Sequence, residues 1–160
     1  MGQYLDFATV YGRLGNHPGD ITLQQAEALF RCAMKQRDGA VILEFDPIGG
    51  RSTVLLGVAA KNLNGRLYVY NADTPALHPI WMERAAKLHG LADVASINAS
   101  NGAAVHGADL VVIRSKGVNP HPVVDAKHLF VLGAMDFSKS PSHRVLEKGD
   151  GFVFVSCRNI

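Results

Sequence analysis

The feature that most constrains this chain is an alternation of short apolar runs with segments of helical spacing. The runs AVILEF (residues 40–45), GRLYVYN (65–71) and DVASIN (93–98) are separated by helical segments at 51–63 and 77–91. Short apolar runs that contain β-branched residues and end at glycine turns indicate buried strands. Strands that alternate with helices in this way form a parallel sheet with helices on both faces. The sequence therefore predicts an α/β fold.

Three further strands are predicted toward the C-terminus, at residues 107–115, 127–133 and 151–157. We expect a single Rossmann-like, three-layer domain over residues 21–160, with a mainly parallel sheet in the strand order 3-2-1-4-5 plus one further strand from residues 151–157. The stretch SPSHRVLEKGDG (residues 140–151) is expected to hold one helical turn or more.

Residues 1–20 are rich in glycine and predict an irregular N-terminal arm with a short helix over YLDFATVY, whose aromatic side chains cover the domain. After the arm, Thr22 and Gln25 have the spacing of a capping box, so a helix is expected to begin there and to stop at Gly39. An open apolar edge of the sheet invites pairing, so we expect the arm or a second subunit to cover it. A homo-oligomer is therefore one expectation for this chain.

Net charge, hydrophobicity and cysteine spacing argue against several functional classes. The formal net charge is +2 and no run of Lys and Arg occurs, which argues against nucleic acid and an anionic membrane surface as partners. No stretch approaches the ~18 apolar residues of a membrane span, and the N-terminus lacks the pattern of a signal peptide. Cys32 and Cys157 have no metal-ligand spacing. We expect a reduced, cytoplasmic protein.

The loop ILEFDPIGGRST, residues 42–53, follows the first predicted strand. In open parallel sheets a ligand sits at the carboxyl ends of the strands, beside the first one. Gly49 and Gly50 allow the backbone to bend sharply and to approach a ligand closely. Ser52 and Thr53 then start a helix, and helix capping explains their hydroxyls better than a nucleophilic role does. Two glycines alone fit a plain tight turn equally well.

Residues 22–115 resemble the opening of class I S-adenosylmethionine-dependent methyltransferases, with the catechol-type O-methyltransferases and related small families as the nearest group. The first motif of that family is a strand ending in an acidic residue, then glycines and a helix start. The matching residues are Glu44, Gly50, Arg51, Ser52 and Thr53. The segment PIWMERAAKLHGLADVASINAS also resembles the family's third element.

The resemblance implies S-adenosylmethionine as the cofactor and a small molecule as the methyl acceptor. The implied cofactor-binding residues are Glu44, Asp46, Gly49, Gly50, Ser52, Thr53, Asn71, Asp73 and Ser100. The resemblance identifies no general base.

Three positions depart from the family pattern. Asp46 replaces a glycine, and its carboxylate either blocks the cofactor or attracts its cationic part. Asn71 replaces the acidic residue that accepts the ribose hydroxyls, unless Asp73 takes that role. Arg114 replaces the aspartate that holds a divalent metal in catechol-type enzymes, and a guanidinium cannot ligate a metal. We therefore expect no metal.

Two functions of different classes stay open at this point. The first is a metal-independent methyltransferase, and the second is a non-catalytic relative that serves as a binding or assembly subunit. A different nucleotide-binding protein is a weaker third, because no G-x-G-x-x-G occurs. His121, Asp125 and His128 would share a helix face and suit a metal. The neighbouring prolines favour a solvated loop instead.

Overall fold

The computed structural model describes residues 5–15, 19, 21–47, 50–70, 84, 86–97, 107–115 and 126–158. Its helices are α1 (Phe7–Leu14), α2 (Leu23–Met34) and α3 (Arg51–Asn62), and Arg84 and residues 86–88 are also helical. Its strands are β1 (Val41–Phe45), β2 (Arg66–Tyr70), β3 (Ala95–Ile97), β4 (Ala108–Arg114), β5 (Ala126–Leu132), β6 (His143–Gly149) and β7 (Phe152–Cys157).

All seven strands form one sheet in the order β3-β2-β1-β4-β5-β7-β6. The first five strands are parallel, and β7 runs antiparallel to both β5 and β6. β1 and β4 are direct neighbours, with Ile42 opposite Leu110. The predicted α/β class and the order 3-2-1-4-5 are therefore confirmed.

The C-terminal part has one strand more than predicted. Residues 143–149, where a helical turn was expected, form β6 and pair with β7 as an antiparallel hairpin. The pattern was misleading because β6 is an edge strand with charged residues along it, and a register shift between Val145 and Glu147 interrupts its alternation. The further strand predicted at residues 151–157 is confirmed as β7, and β6 is an additional strand that lies beyond it. β6 thus covers the edge that the arm or a second subunit was expected to cover, and a homo-oligomer stays a prediction.

The arm packs along α3. Its helix α1 begins three residues later than the sequence suggested, with Asp6 as an N-cap that accepts a 2.8 Å hydrogen bond from the Thr9 N–H. Near one end of α3 the Leu5 N–H donates to Asn62 Oδ1 at 3.2 Å. At the other end Tyr11 lies under Arg51. The aromatic residues Phe7 and Tyr11 pack against the core, as expected.

The described helices bury their apolar sides on one face of the sheet. The predicted capping box of α2 is confirmed, because Thr22 and Gln25 exchange side-chain to backbone hydrogen bonds of 3.1 and 2.9 Å. On the opposite face, strand side chains and Phe137 form a second apolar cluster. Leu88, within the helical residues 86–88, is 81% exposed. In the described part of the chain, no helix has the length and apolar character needed to cross a membrane.

Candidate active site at the carboxyl ends of the strands

Glu44 ties β1 to the first turn of α3. Its side chain is buried, with a relative exposure of 1%. Ser52 Oγ donates a 2.5 Å hydrogen bond to Glu44 Oε2, and Thr53 Oγ1 donates another of 2.5 Å to Oε1. Both hydroxyls are themselves buried. Three residues predicted to contact a cofactor are thus brought together as an internal link, and direct contact with a ligand stays a prediction for them.

The charge state of Glu44 results from opposing effects. Burial raises the pKa of its carboxyl, because removing a carboxylate from water disfavours the charged form. The hydrogen bonds from Ser52 and Thr53 and the positive charge of Arg114 act in the other direction, but the pKa still lies above its ordinary value. The link is therefore sensitive to pH, and it fixes where α3 begins relative to β1.

Gly50 makes the turn between strand and helix. Its φ of 94° lies in the left-handed region, which favours glycine, and its carbonyl accepts a 3.0 Å hydrogen bond from the Val54 N–H. No side chain among the described residues caps α3 at this end. The first N–H groups of α3 therefore point out from the carboxyl ends of the strands with the positive end of the helix dipole. The neighbouring Gly49 lies outside the described residues.

Asp46 continues the path of β1 for one residue. Its N–H donates a 3.1 Å hydrogen bond to the Tyr70 carbonyl at the end of β2, so Asp46 sits where these two strands end. Its φ of 51° is in the left-handed region. The side chain is half-buried, and within the described structure its carboxylate takes part in no hydrogen bond or ion pair.

Arg114 ends β4, on the side of the sheet that carries Glu44. Glu44 lies opposite Val112 in the register, so Arg114 is two residues further along the neighbouring strand. It is partly buried. A cation thus occupies the strand end at which the resemblance would place a metal-binding aspartate. Across the described ranges, no group of three or more His, Cys, Asp or Glu side chains could hold a metal ion.

Residues of the N-terminal arm contact Arg51 at the start of α3, and the sequence did not indicate these contacts. The Arg51 guanidinium lies 5.2 Å from the centroid of the Tyr11 ring, a cation–π geometry. Gly19 packs on the Arg51 side chain so closely that an added Cβ would lie 2.6 Å from its Cγ. These contacts join residues 32 or more positions apart, so no local pattern could have indicated them.

The remaining candidate residues either lie away from this site or are outside the described residues. Asn71, Asp73 and Ser100 lie outside them and stay predictions. His128 belongs to strand β5, which confirms the strand predicted at residues 127–133, and its Nδ1 lies 3.0 Å from Gln36 Oε1. Burial lowers the pKa of His128, which disfavours its charged form. His121 is outside the described residues.

Comparison with known proteins gives similarity in structure but not in sequence. No family model matches the chain, and no curated protein matches it. A methyltransferase from Geobacter sulfurreducens has a TM-score of 0.67 at 15% identity, covering 95% of this chain and 87% of that one. An RNA methyltransferase from Salinibacter ruber, in complex with S-adenosyl-L-homocysteine, has a TM-score of 0.60 at 14% identity, covering 88% and 95%.

A third structure, cofactor-bound Rv0187 from MTB, has a TM-score of 0.57 at 18% identity and covers 96% of this chain and 89% of that one. The chain has the class I methyltransferase fold. At these identities the likeness establishes the fold alone, and at that level it confirms the resemblance of residues 22–115. In this chain the sheet ends in the β6–β7 hairpin, of which the sequence indicated only β7.

Proposed function

We propose that the chain binds S-adenosylmethionine at the carboxyl ends of β1, β2 and β4 and transfers its methyl group to a small molecule without a metal. The observation that carries the proposal is the start of α3. The helix begins at a left-handed glycine without a side-chain cap, and the buried Glu44 link holds it against the end of β1. This is the form of a site for a nucleotide-like ligand.

The described residues fit the amino-acid end of such a cofactor. The uncapped N–H groups at the start of α3 can donate hydrogen bonds to a carboxylate, and the helix dipole favours negative charge there. When bound, S-adenosylmethionine supplies an electrophilic methyl group on a sulfonium. The chain then has to hold the acceptor in line with that methyl group, and positioning of this kind supplies a large part of the rate.

The absence of a metal from the proposed mechanism follows from residue chemistry. Arg114 presents hydrogen-bond donors and a positive charge, both of which disfavour a divalent cation nearby. A small-molecule acceptor is proposed because the net charge of +2 is too low for strong binding to the phosphates of a nucleic acid.

A second candidate is a non-catalytic relative that serves as a binding or assembly subunit. The observation that favours it is the occupation of the strand ends by Asp46 and Arg114, where the enzymes it resembles have glycine and aspartate. Both candidates use the same fold, and fold alone does not decide between them. They differ in whether methyl transfer occurs.

Calorimetry with S-adenosylmethionine and S-adenosylhomocysteine tests the proposal. We expect dissociation constants well below about 1 mM for both, and mass spectrometry should detect S-adenosylhomocysteine that copurifies with the chain. Binding weaker than about 1 mM for both compounds would contradict the proposed cofactor.

Catalysis needs a separate test. The chain is incubated with S-adenosylmethionine and a panel of phenols, amines and carboxylic acids, and the release of S-adenosylhomocysteine is measured. Turnover that survives treatment with a chelator supports the metal-independent enzyme. Tight cofactor binding with no turnover on any acceptor supports the non-catalytic relative.

A further inference from the structure

A cavity of about 270 Å³ lies at the C-terminal end of α3, on the edge of the sheet where β2 begins. Its walls come from the arm, from the last turns of α3 and from the segment that precedes β3, through Leu5, Arg13, Val58, Lys61, Asn62, His89 and Leu91. At a rise of about 1.5 Å per residue, Val58 and Lys61 lie about 10–15 Å along the helix from Arg51. The cavity is therefore separate from the turn between β1 and α3.

Hydrogen bonds hold the walls of this cavity together. The Leu5 N–H donates to Asn62 Oδ1 at 3.2 Å, and Asn62 Nδ2 donates back to the Leu5 carbonyl at 2.9 Å. On the other side, Lys61 Nζ donates to the Gly90 carbonyl at 2.7 Å. Both walls are thus attached to the end of α3. The cavity is formed by the fold itself, as most small-molecule sites are.

The floor of the cavity is apolar. Val58 and Leu91 are buried, with relative exposures of 3% and 1%, and Leu5 packs against the same core. The floor is also closely packed, because a Cβ added at Gly57 would lie 2.7 Å from Leu91 Cδ1. An apolar cavity of about 150 Å³ is enough to hold benzene. This one therefore has room for a ring of that size and a polar group attached to it.

The rim of the cavity is basic. Arg13 and Lys61 are exposed and His89 is half-buried, and no acidic side chain is among the described residues that line the cavity. Arg13 makes no hydrogen bond or ion pair with another described residue. Lys61 Nζ lies 3.8 Å from Asp93 Oδ1, but the Asp93 side chain is 72% exposed, and such a pair contributes little. The positive charge of the rim is thus largely uncompensated.

The end of α3 opposes this charge only weakly. The C-terminus of a helix carries roughly half a negative elementary charge, which disfavours an anion. The N–H groups of residues 63–65 donate to the last carbonyls of α3 at 2.7 to 3.2 Å, so these acceptors are already satisfied. The full charges of Arg13 and Lys61 exceed the partial charge of the helix end. The cavity therefore favours an anionic ligand.

We propose that this cavity binds a small aryl anion, with its ring on Val58 and Leu91 and its anionic group beside Arg13 and Lys61. Phosphate and carboxylate share the chemistry that the rim recognises, because a guanidinium can donate two parallel hydrogen bonds to either group. The ligand would contact the arm, α3 and the segment before β3 at once. The site is distinct from that of the proposed methyl transfer, and its occupation does not depend on a cofactor.

Calorimetry on the unaltered chain with phenyl phosphate and benzoate tests the proposal, and the tighter of the two identifies the preferred anionic group. Inorganic phosphate supplies the charge without the ring, and benzyl alcohol supplies the ring without the charge. We expect a dissociation constant below about 1 mM for at least one aryl anion and binding at least about tenfold weaker for both controls. In NMR spectra the ring resonances of His89 should shift on binding, whereas those of His143, at the start of β6, should not.

Arg13→Gln locates the anionic group. The variant removes the charge from an exposed position and keeps a residue that favours a helix, so the fold should persist. Lys139→Gln is the matched control, because Lys139 is an exposed residue between β5 and β6 and the change in net charge is the same. We expect Arg13→Gln to weaken the tighter aryl anion by about fivefold or more, and Lys139→Gln to stay within about twofold.

Three results would each overturn the proposal. They are binding weaker than about 1 mM for both aryl anions, equal affinity for an aryl anion and either control compound, and equal affinity of Arg13→Gln and Lys139→Gln. The first two comparisons use the unaltered chain, so they decide the matter even if a variant folds poorly. None of these results bears on S-adenosylmethionine, whose binding is measured separately.

Discussion

Thr53 donates a 2.5 Å hydrogen bond to Glu44 inside the domain, so the start of α3 is attached to the end of β1 by a buried polar contact. Ser52 makes the matching contact with the second carboxylate oxygen. A buried polar group is costly unless it is paired, and a pair of donors on a single carboxylate fixes both the distance and the rotation between strand and helix. The geometry of the candidate site depends on this link.

Glu44→Gln should alter the pH dependence of stability. The folded-state pKa of Glu44 is raised, so its favourable contribution is present below the ordinary carboxyl pKa and is lost as the pH rises through the folded value. Glutamine does not titrate, so the stability of the unaltered chain relative to the variant should decrease as the pH rises. Urea unfolding of both proteins at pH 4.5 and about pH 8 measures this. A relative stability that increases over this range would contradict the sign.

Thr53→Val should destabilise the domain by about 1–3 kcal/mol, because valine keeps the shape of threonine but leaves one oxygen of a buried carboxylate without its donor. The denaturant midpoint is expected to fall with an unchanged slope. Ser96→Ala, on an exposed position of β3, is the control and should stay within about 0.5 kcal/mol. A Thr53→Val variant as stable as this control would show that the link contributes little.

Most of the fold could be predicted from regular patterns of apolar residues in the sequence. Exposed elements and contacts between distant segments could not. The order of β1 to β5 followed from apolar runs that alternate with helices, and the start of α2 followed from the spacing of Thr22 and Gln25. β6 was missed because most of this edge strand is exposed and none of its residues is fully buried, so its side chains show no apolar alternation. Periodicity is informative only where one side of an element is buried.

The candidate site was only partly predictable. The turn residues Glu44 and Gly50 were found from the motif, but the direction of the Glu44 side chain was not, because it depends on packing between β1 and α3. The backbone of Asp46 could not be read from residue types, since aspartate is common in both ordinary and left-handed conformations. The contact between Arg51 and Tyr11 joins two segments that are distant in sequence.

Glu147→Gln should weaken the attachment of the edge strand to α2. Arg31 donates two hydrogen bonds of 2.6 Å to the Glu147 carboxylate, and these hold the pKa of Glu147 below its ordinary value. The contribution of the pair is therefore present above the ordinary carboxyl pKa and is lost as the pH falls through the lower, folded value. Because both side chains are about a third exposed, we expect a loss of only about 0.5–1 kcal/mol at pH 7.

Glu27→Gln is the matched control for that experiment, because Glu27 also pairs with Arg31 but is more exposed. It should cost no more than about 0.5 kcal/mol, as for other pairs four residues apart on a helix. Thermal unfolding of both variants at pH 7 and about pH 3 measures the difference. A Glu147→Gln deficit that persists undiminished at the lower pH would argue against the ion pair as its cause.

Gly50→Ala should separate ligand binding from general stability when it is compared with Gly107→Ala. Both glycines have a left-handed backbone, with φ of 94° and 84°, so alanine should destabilise the fold by a similar amount of about 1 kcal/mol at either position. Gly50 opens α3 at the candidate site, whereas Gly107 precedes β4 at the opposite edge of the sheet, where an added Cβ meets no atom within 4 Å.

We expect Gly50→Ala to weaken the binding of S-adenosylhomocysteine by at least about tenfold, because the altered turn reorients the first N–H groups of α3. Gly107→Ala should bind as the unaltered chain does, and calorimetry on both variants measures the contrast. Equal losses in the two variants would mean that binding follows overall stability and that the start of α3 is not the site.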